Sequence, residues 1–538
     1  MSSAKPAVSP LPPAASKPGD NQKSLRNIQI CSRLALAFGI LFRIVQYFSN
    51  RSLWLDETLL VRNLQSRNYG QLLEALDHNQ AAPPLFLWIE KFALENLGDN
   101  EYSLRLYPLI GGLLSLFIFY RFTKSYADGW VRPIAIFLFS ALEYIAYYSS
   151  EVKPYSWDIT LCLLLFMCIR AIAALQPSLK KLFTAAVLGV VSIWLSFPSV
   201  LIMAGLEATN LIKLKLWRIS RQDWLTLLNR RLPLYAVWLL SFVGLYVVNI
   251  QKTLTGTSLE KAWANRYPTN GFDLLWLLDA FGQFFYHPLG FLSPADGIAL
   301  IVFVVGWIYL YRIQKWRLAY LSSPFAITFL ASYLQQYPFR NRLVLFITPY
   351  ALVILAEGIA LLIRQCFQSK PQRKGFAKFV RILGLVLALS LLIQPMVVAV
   401  PRIVRPQLNH FDHVRPAIAH IHTHWQLGDK LYISPAVHHQ FRAYQPRFEF
   451  PETDVIFGKV KNFNSRNLSP GALQRLSQNI EQLKEGPLKG QERVWFLFGR
   501  TPPEGEARIL QELDKIVGKP VEIVRYPQAV ASLRDLSK

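Results

Sequence analysis

Between about residues 28 and 400 the chain is a succession of apolar runs of 15 to 22 residues, separated by short polar segments. A helix crossing a hydrocarbon layer roughly 30 Å thick needs about 20 such residues. Backbone amides in lipid must also be satisfied within the segment. The expected spans are 29–49, 104–121, 132–149, 156–175, 182–197, 199–213, 232–250, 293–311, 318–334, 343–363 and 382–400. Phe197-Pro198 reads as a break between two short helices. Both flanks, Lys180-Lys181 and Lys213 with Lys215, are basic, which demands an even number of crossings. The fold class expected is an all-α polytopic membrane protein of about eleven transmembrane helices, carrying a C-terminal α/β domain.

Composition excludes the soluble alternatives. Only 17% of the 538 residues are charged and 52% are apolar, against about 25% charged in an ordinary globular chain. The formal net charge of +24 invites a nucleic-acid reading, but its placement refutes one. The segments 121–132, 176–182, 213–231, 312–317 and 364–381 hold twenty Lys or Arg among 62 residues, while 50–103, 150–156, 252–290 and 335–342 hold ten among 108. Basic residues divided among separate short loops form no nucleic-acid footprint. They are the retention signal of cytoplasmic loops, reinforced by anionic lipid. The N-terminus is therefore expected inside and the domain 401–538 outside, in a bacterial inner or plasma membrane. Residues 1–27, rich in Pro, Ala and Ser, are expected as a disordered cytoplasmic tail. The outer domain reads as a helix near 411–425, strands at 430–434 and 493–498, a helix over 503–517 and a last strand at 520–525. Cys31, Cys162, Cys168 and Cys366 all lie in or beside apolar runs, so they provide neither a disulfide scaffold nor a thiolate metal site.

The chemistry gathers in the outer loops. Loop 50–103 opens Arg51-Ser-Leu-Trp54-Leu-Asp56-Glu57-Thr58, just past the first span, and an ionised pair at a membrane boundary is a functional candidate by default. It continues through Asp77-His78-Asn79-Gln80-Ala-Ala-Pro83-Pro84 to Glu101-Tyr-Ser-Leu-Arg105. The second outer loop is Ser150-Glu151-Val-Lys153-Pro154-Tyr155, and a later one is Tyr337-Pro338-Phe339-Arg340-Asn341-Arg342. Carboxylates that can accept the proton of an attacking hydroxyl or amine, beside cations that neutralise a departing phosphate, suit group transfer from a membrane-embedded phosphate ester. Interfacial aromatics such as Trp54 and Tyr155 suit packing on a sugar face. The Asp56-Glu57 pair is also a good helix cap, Arg340 and Arg342 are also plausible boundary anchors, and the histidines at 410, 413, 420, 422, 424, 438 and 439 read as a solvated or acid-sensing surface rather than a metal site.

WLDET in the first outer loop, HNQAAPPLFLW followed by YSLRLYP, SSEVKPYSW and YPFRNRLVLFITP resemble the signatures of the GT-C glycosyltransferases. The nearest branch is glycosyltransferase family 39 with its bacterial relatives, of the protein O-mannosyltransferase and lipid A aminoarabinose transferase type. The resemblance covers residues 28–400, with 50–103 as the catalytic outer loop. It implies a polyprenyl-phosphate sugar as donor and inverting transfer of a hexose or pentose, on the outer face, to a glycan, lipid or protein acceptor of the cell envelope. By that resemblance Asp56 is the general base and Glu57 the adjacent catalytic or structural acid. His78, Arg105, Glu151, Lys153, Tyr155, Arg340 and Arg342 are the substrate-binding candidates, with Arg340 and Arg342 on the donor phosphate. Two departures stand out. Four residues separate His78 from Pro83-Pro84, where the family has its histidine directly before the prolines. Lys153 stands where the family has Arg, which keeps charge and loses bidentate geometry. No cofactor is demanded, and a divalent metal stays open although no metal-ligand pattern is present. A transporter or flippase of lipid-linked glycans, or a glycan polymerase or ligase, are the competing readings. Inversion by single displacement leads to one geometric expectation: Asp56 several ångströms from the Arg340, Arg342 and Lys153 cluster, with room for a sugar between.

Overall fold

The computed structural model describes residues 18–215, 220–256, 258–367, 376–409, 411–460 and 468–537. Its first part is helical: α1 (Pro18–Phe48), α2 (Leu55–Ser66), α3 (Pro84–Leu97), α4 (Glu101–Tyr126), α5 (Val131–Ala141), α6 (Glu143–Tyr147), α7 (Tyr155–Ala171), α8 (Leu179–Leu195), α9 (Ser199–Lys213), α10 (Arg221–Leu245), α11 (Gln251–Gly256), α12 (Leu259–Trp263), α13 (Leu274–Tyr286), α14 (Ala295–Ile313), α15 (Lys315–Tyr333), α16 (Thr348–Phe367) and α17 (Phe376–Val404). Every expected span coincides with a helix. Among the described residues, six helical stretches are long and apolar enough to cross a membrane, and the bent pair 131–141 and 143–150 makes a seventh. The other four expected spans correspond to α7, α8, α9 and α15, of 15 to 19 residues, so length and composition alone assign fewer crossings than the expected eleven. The break at Phe197-Pro198 separates α8 from α9 as anticipated. Residues 18–27, expected as part of a disordered tail, are instead the first turns of α1; residues 1–17 lie outside the described residues.

Burial separates the centre of the bundle from its rim. The stretch 341–367 is 83% buried over its apolar window, whereas 221–256 is 22% buried at a mean hydropathy of 1.7. Leu239 and Leu240 on α10 and Ile301 on α14 are exposed, apolar surface that belongs against lipid. α14 and α16 meet backbone to backbone. A Cβ on Gly306 would lie 2.1 Å from the Ile354 carbonyl oxygen, and one on Gly358 2.1 Å from that of Val302. Small residues at such crossings permit close packing of helices that gain nothing from hydrophobic association in lipid. The short segments between spans cluster at one end, where Arg317 pairs with Asp128 and Glu357 and Arg231 pairs with Glu207 and donates to the Ile172 carbonyl.

At the other end α2 and α3 lie beneath the C-terminal domain. That domain has β1 (Lys430–Ile433), β2 (Val455–Phe457), β3 (Val494–Gly499), β4 (Glu522–Tyr526) and β5 (Ala529–Arg534), ordered β2-β1-β3-β5-β4. β1 runs parallel to both neighbours and β5 antiparallel to both of its own. Its helices are α18 (Val414–Thr423), α19 (His438–Tyr444), α20 (Pro470–Glu485) and α21 (Pro503–Val517). The strand expected last, 520–525, is the edge strand β4, and the fully buried β5 beyond it went unread. α20 was also missed, although Ser469-Pro470 supplies a standard start: the Ser469 hydroxyl accepts from the Ala472 amide.

The domain is sewn to the loop 50–103. Tyr444 accepts from the Leu53 amide at 2.7 Å and donates to Glu101 at 2.6 Å. Arg447 and Arg415 close on the same Glu101 carboxylate at 2.9 and 2.7 Å. The Ser52 amide donates to His413 Nδ1 at 3.2 Å. The histidines of the domain make several different contacts: His420 bonds Glu522 at 2.7 Å with the His424 ring stacked on it at 4.1 Å, and His438 bonds the Ile433 carbonyl at 3.1 Å. His410 lies outside the described residues.

Candidate functional site

Asp56 and Glu57 are consecutive at the start of α2 and point different ways, since successive helical residues are about 100° apart. Glu57 turns into the protein and is fully buried. One carboxylate oxygen accepts from Arg105 Nε at 2.9 Å and the Val152 amide at 3.0 Å; the other accepts from Arg105 Nη2 at 2.6 Å and the Trp54 amide at 3.2 Å. Arg105 spends its remaining donors on the Arg51 and Ser52 carbonyls at 2.5 and 3.1 Å. Arg51 in turn grips Ser150 and lies 4.2 Å from the Tyr147 ring centre. Burial pushes the Glu57 carboxyl up, but Arg105, with Arg51 behind it, outweighs burial and holds it below the usual range. Glu57 and Arg105 tie loop 50–57 to the loop 150–155.

Asp56 faces the other way and forms an ion pair with Arg342, both side chains partly open to solvent. The Arg342 guanidinium sits 5.4 Å from the Trp54 ring centre and 5.8 Å from that of Tyr155. The expected sugar-wide gap between Asp56 and Arg342 is not there, because the two charges close directly on each other. Lys153 is buried beside them, donating to Gln80 Oε1 at 2.6 Å. Burial pulls its ammonium down to about 8 against the attraction of Asp56. Glu151 is fully buried, and neither carboxylate oxygen has a hydrogen-bond partner among the described residues. Burial, with Glu57 adding repulsion, raises its carboxyl to about 7 despite Arg342, Arg51 and Lys153. Loops remote in sequence thus place Asp56, Glu151, Lys153, Tyr155 and Arg342 in one cluster.

Arg340 does not join it. Asn341 between the two arginines has φ +48, a left-handed conformation that redirects the chain, and Arg340 pairs instead with Asp279 and donates to Gln283 at 2.5 Å. Next to that pair opens a cavity of about 630 Å³ lined by Asp279, Gln283, Tyr286, His287, Asp296 and Asn341. His287 bonds the Tyr148 hydroxyl at 3.2 Å, and burial, with Arg342 second, lowers its imidazole to about 4. His287, Tyr148 and Gln80 are site neighbours that sequence reasoning missed. The only hint for His287 was its place in Tyr286-His287-Pro288, at the end of an outer segment. His78 is elsewhere, bonded to Arg62 and packed on His439 of the C-terminal domain. No group of three or more metal-ligating side chains gathers among the described residues.

No protein-family model and no curated protein matches the chain. Solved structures do. ArnT from Cupriavidus metallidurans, bound to undecaprenyl phosphate, is similar at 11% identity and a TM-score of 0.46, over 96% of this chain and 98% of that one. The oligosaccharyltransferase AglB from Archaeoglobus fulgidus, in complex with an inhibitory peptide and a dolichol-phosphate, is similar at 13% identity and a TM-score of 0.49, over 89% of this chain and 70% of that one.

Proposed function

We propose that the chain is an integral membrane glycosyltransferase. It takes a sugar from a polyprenyl-phosphate carrier at the non-cytoplasmic face and passes it, with inversion, to an acceptor hydroxyl or amine. The observation that carries this reading is the partly solvent-open Asp56–Arg342 ion pair in a cluster with Lys153, Glu151 and Tyr155. Arginine prefers the planar, bidentate partner that phosphate offers. An arriving carrier phosphate competes with Asp56 for the Arg342 guanidinium and leaves a carboxylate oxygen free. Asp56 then accepts the acceptor's proton as its oxygen or nitrogen bonds the anomeric carbon. The bond from that carbon to the phosphate oxygen breaks, and the electron pair leaves on a phosphate that Arg342 and Lys153 neutralise. Trp54 and Tyr155 flank Arg342 as apolar walls for the sugar.

The test is turnover of radiolabelled polyprenyl-phosphate hexoses and pentoses by protein purified into lipid nanodiscs, with a membrane extract as acceptor source. Asp56→Asn is expected to lower kcat by about 10²–10⁴-fold while bare polyprenyl phosphate binds as well as before or better. Near-normal turnover by Asp56→Asn, or no sugar carrier consumed by the unaltered protein, overturns the proposal.

A further inference from the structure

A second polar cavity, of about 370 Å³, lies where α2 and the 310 turn at Asp77–Asn79 meet α19 of the C-terminal domain, lined by Arg62, Asn63, Asp77, His78, Arg442 and Gln445. Arg62 is six residues beyond Asp56 on α2, a rise of about 9 Å along the helix.

Two guanidiniums converge here, with Asp77 in the same lining attracting Arg62 without closing an ion pair on it. Neither Arg62 nor Arg442 has an ion pair among the described residues, and each repels the other. The nearby carboxylate, Asp77, is held by Arg67 at 3.1 Å. The charged lining of the pocket, Arg62, Arg442 and Asp77, is net positive, and Arg67 outside it draws on Asp77. Arg62 Nη1 donates to His439 Nδ1 at 2.8 Å and to His78 Nε2 at 3.3 Å. Arginine only donates, so both receiving nitrogens carry lone pairs and both rings are neutral, each retaining an N–H on its other nitrogen. Burial, followed by His78, Arg62, His438 and Arg442, keeps the His439 imidazole near 4. The His78 ring is presented by a left-handed backbone at φ 60, the kind of local strain that the surroundings must impose. The Asn79 side chain fastens that turn by bonding Ser258 at 2.8 and 3.0 Å. A strained turn thus holds an imidazole over a site where two like charges meet.

We propose that this cavity binds a phosphate-bearing group: an anion matches the net positive lining, the guanidiniums supply paired donors, and the His78 imidazole N–H supplies a single one. It deepens the transferase reading and rests on it only in making that group part of the acceptor, held about two helical turns from the proton-accepting carboxylate.

The experiment measures binding without any sugar donor, so it stands apart from the turnover test. Intact protein in nanodiscs is titrated with a soluble sugar 1-phosphate in one arm, and assembled with phosphatidic acid in the nanodisc in the other. Saturable binding of at least one probe is expected, weakened tenfold or more by Arg62→Gln and by the surface-exposed Arg442→Gln. It should be unchanged by Lys252→Gln, which alters an ion pair with Glu74. Binding of the soluble probe alone assigns a water-soluble source, and binding of the lipid alone a membrane source. Absence of binding in both arms, or equal loss in Arg442→Gln and Lys252→Gln, overturns the proposal.

Discussion

Glu57→Gln separates a structural carboxylate from a catalytic one. Four donors converge on Glu57: two from Arg105 and the amides of Val152 and Trp54. An amide of the same shape offers one acceptor oxygen and an NH₂, so two donors are left facing hydrogens. Arg105, 2% exposed, also loses its counter-charge. Removing one partner of a buried pair costs about 3–5 kcal/mol. At a few degrees per kcal/mol this lowers the unfolding midpoint by on the order of 10 °C. The assay is the temperature at which detergent-purified protein loses its monodisperse elution profile, read beside turnover at a temperature where both proteins are intact. The double substitution Glu57→Leu with Arg105→Met removes both charges at similar volume and is expected to be the more stable of the two. Glu57→Gln with normal thermal stability and abolished turnover would falsify the structural assignment and return Glu57 to the chemistry.

Arg342→Ala is expected to weaken binding of bare polyprenyl phosphate by about 10–100-fold, the loss of a charge-assisted contact, whereas Arg340→Ala, which breaks the pair with Asp279, changes it far less; a binding titration compares them. Glu151 sits at about 7 in the fold against an ordinary 4.5, so between those values the folded chain binds more protons than the unfolded one. Stability is therefore expected to fall as pH rises from 4.5 to 7 and then level. Glu151→Gln should remove that slope from a series of unfolding midpoints. Gly358→Ala should cost about 1–3 kcal/mol by overpacking, since its Cβ would strike the Val302 carbonyl. A lower elution-stability temperature checks it.

What the sequence made legible follows from range. Apolar runs and basic loops are local and cumulative, so helix positions, and the placement of Asp56, Glu151, Lys153 and Arg342 in loops at one end of the bundle, could be read directly. Partner choice is not local. Asp56 and Glu57 look alike in the string, and only their directions on α2 assign one to Arg342 and the other to Arg105. Arg340 and Arg342 look like one cationic motif until the left-handed Asn341 parts them. His78 lies in a motif that suggested the same site, yet its neighbour His439 is 361 positions away and belongs to another domain. β5 escaped because Ala529-Val-Ala-Ser-Leu-Arg contains small and polar residues that only a sheet buried on both faces explains.

The Glu101 carboxylate is 2% exposed and is claimed by Tyr444, Arg447 and Arg415, all from beyond residue 404. Tyr444 also takes the Leu53 amide, two residues from the carbonyl that Arg105 holds. Cutting the chain after α17 would strand a buried anion and unclip the peptide leading into Asp56. A deletion of that kind reports a collapsed loop rather than a lost recognition module, and single substitutions on α19 are the scalpel that keeps the two apart.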